Sequence, residues 1–177
     1  MIHAKKSMEE LGRLSTEEMQ NTEKHALVVI LDDVRSMHNV GSVFRTCDAF
    51  AVAAVYLCGY TPAPPHRDIH KTALGATETV AWKHFQQTAE AVQTAREAGY
   101  KIYAVEQAHN SISLEQVQWN GDKIALVFGN EVSGVSDGIL QMADGCIEIP
   151  QWGSKHSLNI SVSVGVVLWE MVRDRRY

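Results

Sequence analysis

Several features that would mark a membrane, exported or disordered chain are missing here. No apolar run approaches the ~18 residues of a spanning helix. Residues 1–14 mix Lys5, Lys6, Glu9 and Glu10 and lack an apolar signal core, so neither a membrane segment nor an export leader is expected. Cysteine is scarce: Cys47, Cys58 and Cys146 form no CxxC pair and have no metal-ligand spacing, and three cannot all pair within one chain. A reduced, cytoplasmic compartment is expected. There is also no excess of basic charge. The 16 Lys+Arg stand against 21 Asp+Glu, a formal net charge of −5, so nothing draws the whole molecule toward nucleic acid. Such a partner would have to be held by a local patch, on one chain or shared with a second subunit. Proline clusters only at 61–66, and no repeat or low-complexity stretch occurs. The 177 residues, 45% hydrophobic and 21% charged, suit one globular domain with a full core and exclude disorder.

Five short apolar runs, at 26–31, 53–58, 100–105, 124–128 and 147–149, read as strands, with a further candidate at 79–82. Val, Ile and aromatics in the first and fourth indicate strands buried on both faces. Helical patterns fall between them. Residues 15–25 open with Ser15 and Glu18 in capping-box spacing. Val40, Val43, Phe44, Cys47 and Ala51 share one helix face, on a helix beginning near Asn39. Residues 88–98 end before Gly99, and 137–143 form a shorter helix. Residues 157–173 alternate like a strand but also place Leu158, Val162, Val166 and Trp169 on one helix face; length favours the helix. Alternation of strand and helix predicts an α/β domain with a mainly parallel sheet flanked by helices.

Ligands of open parallel sheets bind beyond the carboxyl ends of the strands. Three segments there combine glycine with polar side chains: 32–45 (DDVRSMHNVGSVFR), 129–134 (GNEVSG) and 150–159 (PQWGSKHSLN). On the first, Arg45 faces away from the apolar stripe beside Gly41 and Asp48. It reads either as a ligand group, with Gly41 leaving room for the ligand, or as an exposed arginine paired with Asp48. Asn39 reads either as a ligand group or as a helix N-cap, and Glu131 either as a site carboxylate or as part of a solvated turn. GNEVSG resembles half of a phosphate loop, but Val135 stands where the loop lysine belongs, and no GxGxxG follows a strand. His66 and His70 have i, i+4 spacing but lie in what reads as a Pro-rich loop with no Glu after the first His, so no metal site is expected. His156 reads either as a phosphate contact or as a simply exposed side chain. Ser157 has no His/Asp partner at a hydrolase spacing.

Taken together, HNVGSVFRTCDAF (38–50), LVFGNEVSGVS (126–136) and IEIPQWGSKHSLNISVSVG (147–165) resemble the three motifs of SpoU/TrmH-type RNA 2′-O-methyltransferases of the SPOUT superfamily. The stretch GYTPAPPHRDIHKTALGATETVAW (59–82) resembles the TrmH-like branch. The resemblance spans 26–172. It implies one methyltransferase domain over 26–177 behind a short helical extension at 1–25, with a C-terminal trefoil knot, a topology that the ordinary rules of chain connection exclude. It also implies a homodimer and S-adenosylmethionine as cofactor.

Residue by residue, Asn39 and Arg45 match the motif-one Asn and the catalytic Arg. Glu131 matches the motif-two Glu, and Ser157 and Asn159 the motif-three pair. Gly129, Ile149 and Leu158 match positions that hold the cofactor, and Glu106 another on the cofactor side. Arg35, Arg45, Arg67, Lys71, Lys155 and the C-terminal Arg173, Arg175 and Arg176 are the local cations available to tRNA or rRNA. The activity implied is methyl transfer to a ribose 2′-hydroxyl. The competing reading is a non-catalytic RNA-binding or assembly protein on the same fold, and the presence of all five motif residues counts against it.

Overall fold

The computed structural model describes residues 3–7 and 9–173; Arg175, Arg176 and Tyr177 lie outside them. A short helix, α1 (Thr16–Asn21), precedes the sheet, and Ser15 and Glu18 form the expected capping box at its start. The elements that follow are β1 (His25–Asp32), α2 (Met37–Ala49), β2 (Val52–Cys58), α3 (Arg67–Ala73), α4 (Ala76–Thr79), β3 (Ala81–Phe85), α5 (Thr88–Glu97), β4 (Lys101–Val105), β5 (Ile112–Ser113), β6 (Ile124–Phe128), α6 (Asp137–Met142), β7 (Gly145–Glu148) and α7 (Ile160–Val172).

All seven strands pair in parallel, in the order β3-β2-β1-β6-β4-β7-β5. The alternation inside β1 and β6 explains their unbroken apolar runs. Leu27, Val29 and Leu31, with Ile124, Leu126 and Phe128, face a layer built from α2, α3 and α7. Val28, Ile30, Ala125 and Val127 face a second layer built from α5 and α6. Strands covered on both faces have no polar side.

The strand order reverses beside β1: the chain goes first to β2 and β3 on one side, then to β4 on the other. Crevices in parallel sheets open at such reversals. The carboxyl ends of β1, β6, β4 and β7 lie next to one another there, so the segments after Asp32, Val105, Phe128 and Glu148 leave from one edge.

Several expectations shift. The first helix stops at Asn21 and β1 takes up His25. Helix α2 begins at Met37 with Ser36 as its N-cap, so Asn39 sits inside the first turn and is not the cap. Ala51 leaves α2 altogether, with a left-handed φ of 47°. Residues 67–73 are helical, not loop: His66 caps α3 through Nδ1, which accepts the Asp68 N–H at 3.2 Å. Residue Thr79 ends α4, and the strand predicted at 79–82 runs from Ala81 to Phe85 instead. Strand β5 has two residues and carries no periodic signal. The C-terminal segment is a helix, as its length indicated.

Gly41 leaves no space for a ligand. A Cβ there would collide with Thr72 Oγ1 and the Ile69 carbonyl of α3, so the glycine lets α2 and α3 pack backbone against side chain. Among the described residues no helix is long and apolar enough to cross a membrane.

This packing sets two effects against each other. Gly41→Ala raises helix propensity by about 1 kcal/mol, while overpacking against a backbone carbonyl costs about 1–3 kcal/mol. The expected outcome is a net loss, read as a lower denaturant midpoint at unchanged m-value.

Candidate active site

The first four N–H groups of a helix have no partner within it. At α2 the Ser36 hydroxyl accepts the Asn39 N–H at 3.3 Å. The carboxylate of Glu131, from the loop after β6, accepts the N–H groups of Arg35 and Ser36, each at 3.1 Å. The same carboxylate accepts the Asn39 side-chain amide at 3.0 Å. Asn39 Oδ1 in turn accepts the side-chain amide of Asn159 at 3.1 Å. Asn159 is the N-cap of α7, and its Oδ1 accepts both the N–H and the hydroxyl of Ser161, at 2.9 and 2.7 Å. One hydrogen-bonded chain, Glu131–Asn39–Asn159–Ser161, therefore joins the three motif segments and the starts of two helices. The Asn39 and Asn159 amide orientations follow from it, because each nitrogen must donate to the next oxygen.

Burial pushes the Glu131 carboxyl pKa up. The N–H groups of Arg35, Glu131 itself and Ser36, with the Asn39 amide, outweigh that and hold it below its ordinary value. Glu131 is thus a fixed anion at neutral pH, placed where a helix N-terminus favours negative charge.

Asn130 and Asp32, which the sequence reading did not single out, join Gly129 and Glu106 in building the loop that carries Glu131. Asn130, 8% exposed, closes a bridge with Gly134 through bonds of 3.0 and 2.9 Å. Its Oδ1 accepts the Val132 N–H at 2.8 Å, and its amide donates to the Asp33 carbonyl at 2.7 Å. Gly129 has no room for a side chain, since a Cβ would strike the backbone of Gly134 and Val135. Gly134 has φ +69° and lies against the Glu106 carboxylate. Glu106 accepts the N–H groups of Val135 and Gln107, at 3.0 and 2.8 Å. Buried Asp32 accepts the Ser136 N–H at 3.0 Å and the Thr88 hydroxyl at 2.5 Å, anchoring the far end of the loop to β1. The one sequence signal for Asp32 and Asn130 was their place directly beyond an apolar strand.

These loops enclose a cavity of about 510 Å³. Glu106, Gly129, Glu131, Ile149, Ser157, Leu158 and Asn159 all line it, and Asn39 joins its edge through Glu131 and Asn159. Gln107 also lines it and holds the third loop, donating to the His156 carbonyl at 2.6 Å. The structure thus brings together every motif residue singled out from the sequence except Arg45. That side chain is exposed on α2 and does not line the cavity. It makes no ion pair with Asp48 among the described residues; Asp48 accepts the Thr79 hydroxyl at 2.5 Å instead. Arg35, Arg67 and Lys155 are exposed, while Lys71 pairs with Asp68 at 2.7 Å and Arg173 with Glu170 at 3.0 Å. Among the described residues no group of three His, Cys, Asp or Glu could hold a metal ion. Cys47 and Cys58 are buried, and burial pushes the Cys58 thiol up to about 12, leaving no thiolate nucleophile there.

Because the Glu131 pKa is lowered on folding, its stabilisation is full above the ordinary carboxylate range. It is lost as pH falls through the folded value. Glu131→Gln should cost about 1 kcal/mol at neutral pH after discounting for solvent screening. Thermal melts across pH check this: the gap between wild type and variant should close on acidification.

The chain can now be set beside known proteins. The model of the SpoU rRNA Methylase family matches residues 26–169. The tRNA (guanosine(18)-2′-O)-methyltransferase of Thermus thermophilus is 32% identical over 166 residues, covering 94% of this chain and 84% of its own. A 23S rRNA (guanosine-2′-O-)-methyltransferase of Vibrio vulnificus is 36% identical over 156 residues, covering 86% and 62%. Among solved structures, the TrmH/SpoU tRNA modifying enzyme of Aquifex aeolicus superposes with a TM-score of 0.78 at 29% identity, covering 90% and 80%. An AdoMet-bound rRNA methyltransferase from Sinorhizobium meliloti gives a TM-score of 0.81 at 25% identity, covering 90% of this chain and 61% of its own. With a family match over most of its length and three motif loops joined by one hydrogen-bonded chain, this protein belongs to the SpoU rRNA methylase family.

Proposed function

We propose that this protein transfers a methyl group from S-adenosylmethionine to a ribose 2′-hydroxyl of tRNA or rRNA. The observation that carries the reading is the Glu131–Asn39–Asn159 chain at the edge of a cavity lined by Glu106, Gly129, Ile149 and Leu158. Relatives named for tRNA and for 23S rRNA match at comparable identity, which supports both RNA classes.

The residues present fit the cofactor. Ligand pockets run to roughly 300–1,000 Å³, and this cavity holds about 510 Å³. Gly129 lines it in a loop whose close packing against Gly134 and Val135 glycine alone permits, and polar Glu106, Gln107, Asn130 and Ser157 line it beside apolar Ile149 and Leu158, a mixture suited to a nucleoside with an apolar face and polar edges. Gly129, Ile149 and Leu158 would hold it, with Glu106 on the same side. When bound, S-adenosylmethionine supplies an electrophilic methyl group on a sulfonium. The protein's contribution would be positioning and a preorganised polar surround.

A 2′-hydroxyl becomes a good nucleophile only as its proton leaves. Arg45 holds the phosphate on the 3′ side and stabilises the developing alkoxide, and phosphate or water takes the proton. A guanidinium is always protonated, which suits it to this role and not to that of a base. Asn39, Glu131 and Asn159 keep the motif loops in register around the acceptor, and Ser157 lines the cavity beside them.

The chain works as a homodimer with a C-terminal trefoil knot. Helix α7 leaves Val162 50%, Val166 39% and Trp169 59% exposed at i, i+4, i+7, which supports burial of that face against a second copy. Strand β7 files between β4 and β5 although β6 intervenes in sequence, a crossing that supports threading. Residues 26–177 form the catalytic domain and 1–25 its extension, and the unpaired cysteines suit a cytoplasmic enzyme. Arg35, Arg67, Lys71 and Lys155 add local attraction for RNA phosphates.

Labelled methyl groups should appear on a ribose oxygen when the protein is given total tRNA and rRNA with labelled cofactor; label on a base atom overturns the reading. Arg45→Ala should lower turnover roughly 10²–10³-fold and leave cofactor affinity, measured by calorimetry, unchanged.

A further inference from the structure

The turn after β2, tied through Asp33 to the cavity-lining Asn130, carries an aromatic side chain that the chemistry above does not use. Tyr60 is 82% exposed, and among the described residues its ring and hydroxyl have no hydrogen-bond or ring partner. Its backbone, in contrast, is tightly held. The Tyr60 N–H donates to Asp33 Oδ1 at 2.8 Å. On either side, the Gly59 N–H donates to the Phe85 carbonyl at 3.0 Å and the Thr61 N–H to the Cys58 carbonyl at 3.1 Å. The buried Thr61 hydroxyl accepts the Val34 N–H at 3.0 Å and donates to the Leu31 carbonyl at 3.2 Å. Gly59 has φ +60°, and a Cβ there would strike the Asp33 carboxylate. A pinned turn therefore presents a bare ring to solvent.

The same hydrogen bonds tie the turn that carries the ring to the loops of the site. Asp33, which holds Tyr60, also accepts the Asn130 amide at 2.7 Å. Asn130 accepts the N–H of Val132, which lines the cavity and is 90% exposed. Arg35, two residues beyond Asp33, is exposed while its N–H is bonded to Glu131. The three loops that carry Tyr60, Val132 and Arg35 are thus tied to one another by hydrogen bonds at this edge of the sheet.

We propose that Tyr60 is a stacking platform for an unpaired base of the RNA, next to the nucleotide whose ribose is methylated, with Arg35 on a neighbouring phosphate. This rests on the RNA 2′-O-methyltransferase reading and narrows it to a substrate unpaired at the site. Every base has a π-face that an aromatic ring can cover, but only an unstacked base offers it; a continuous duplex does not. Holding the backbone that carries the ring lowers the ordering cost on binding.

The test uses the full-length protein, an unstructured oligoribonucleotide carrying 2-aminopurine, and the same sequence as a duplex. Wild type should bind the single strand more tightly than the duplex and quench the 2-aminopurine fluorescence. Tyr60→Ala should weaken single-strand binding roughly 5- to 100-fold and lose the quenching. Tyr60→Phe should keep both. Cofactor affinity, melting temperature and sedimentation should be the same for all three proteins. Equal RNA affinity in wild type and Tyr60→Ala overturns the platform while leaving the methyltransferase reading intact. So does a Phe variant as weak as Ala, equal binding of the duplex, or an Ala variant changed in oligomeric state or cofactor affinity. A wild type that binds neither RNA overturns the methyltransferase reading, and the platform with it.

Discussion

The unsatisfied amides at the start of α2 are the constraint around which the site is assembled. A buried or half-buried N–H must find an acceptor, and the acceptor here comes from 95 residues away: the Glu131 carboxylate on Ser36. Once that anion is seated, the Asn39 amide has a fixed partner. Its oxygen is then turned toward Asn159, the cap of α7. Each link satisfies a local need of a helix terminus, and together they bring three distant stretches of chain to one place. The hydrogen bonds that hold the fold at this edge are the same ones that shape the site.

The sheet makes this convergence possible. Parallel strands send their carboxyl ends the same way, and the reversal of order beside β1 leaves a crevice where β1, β6, β4 and β7 end together. The crevice is tight because Gly129 packs against the backbone of Gly134 and Val135, and Gly134 against the Glu106 carboxylate. Glu106 and Asp32 are each spent on loop amides, so two carboxylates at this edge serve as architecture. This leaves a polar cavity walled by main chain, as a bulky nucleoside cofactor requires, with Arg45 outside it on the flank of α2.

Electrostatics fit a local grip on RNA. With a net charge of −5, cations must act where they stand. Lys71 and Arg173 are partly committed to Asp68 and Glu170. Arg35, Arg67 and Lys155 are exposed and, on the proposed function, would carry the remaining pull on phosphate. A base held by stacking on Tyr60 would lessen the dependence on charge.

By itself the sequence determined the α/β class and the main strands, though not β5 or the bounds of β3. Unbroken runs such as ALVVIL and IALVF have one stable use, a strand covered on both faces, and periodic apolar positions on α2 report its buried side. Three glycine-bearing loops at strand ends, in order, were enough to identify the family and its motif residues. What tertiary structure decided was everything that depends on contact between distant segments. Gly41 looked like space for a ligand and is filled by α3, because only the packed partner reveals what a missing Cβ admits. Helix α3 was hidden by the prolines before it, and its cap is a histidine ring. Asp32, Asn130 and Tyr60 carried no spacing signal, since their roles come from hydrogen bonds across 27 to 104 residues of chain. Local propensity is written in neighbouring residues; a site closed by long-range hydrogen bonds exists only once the sheet has brought its loops together.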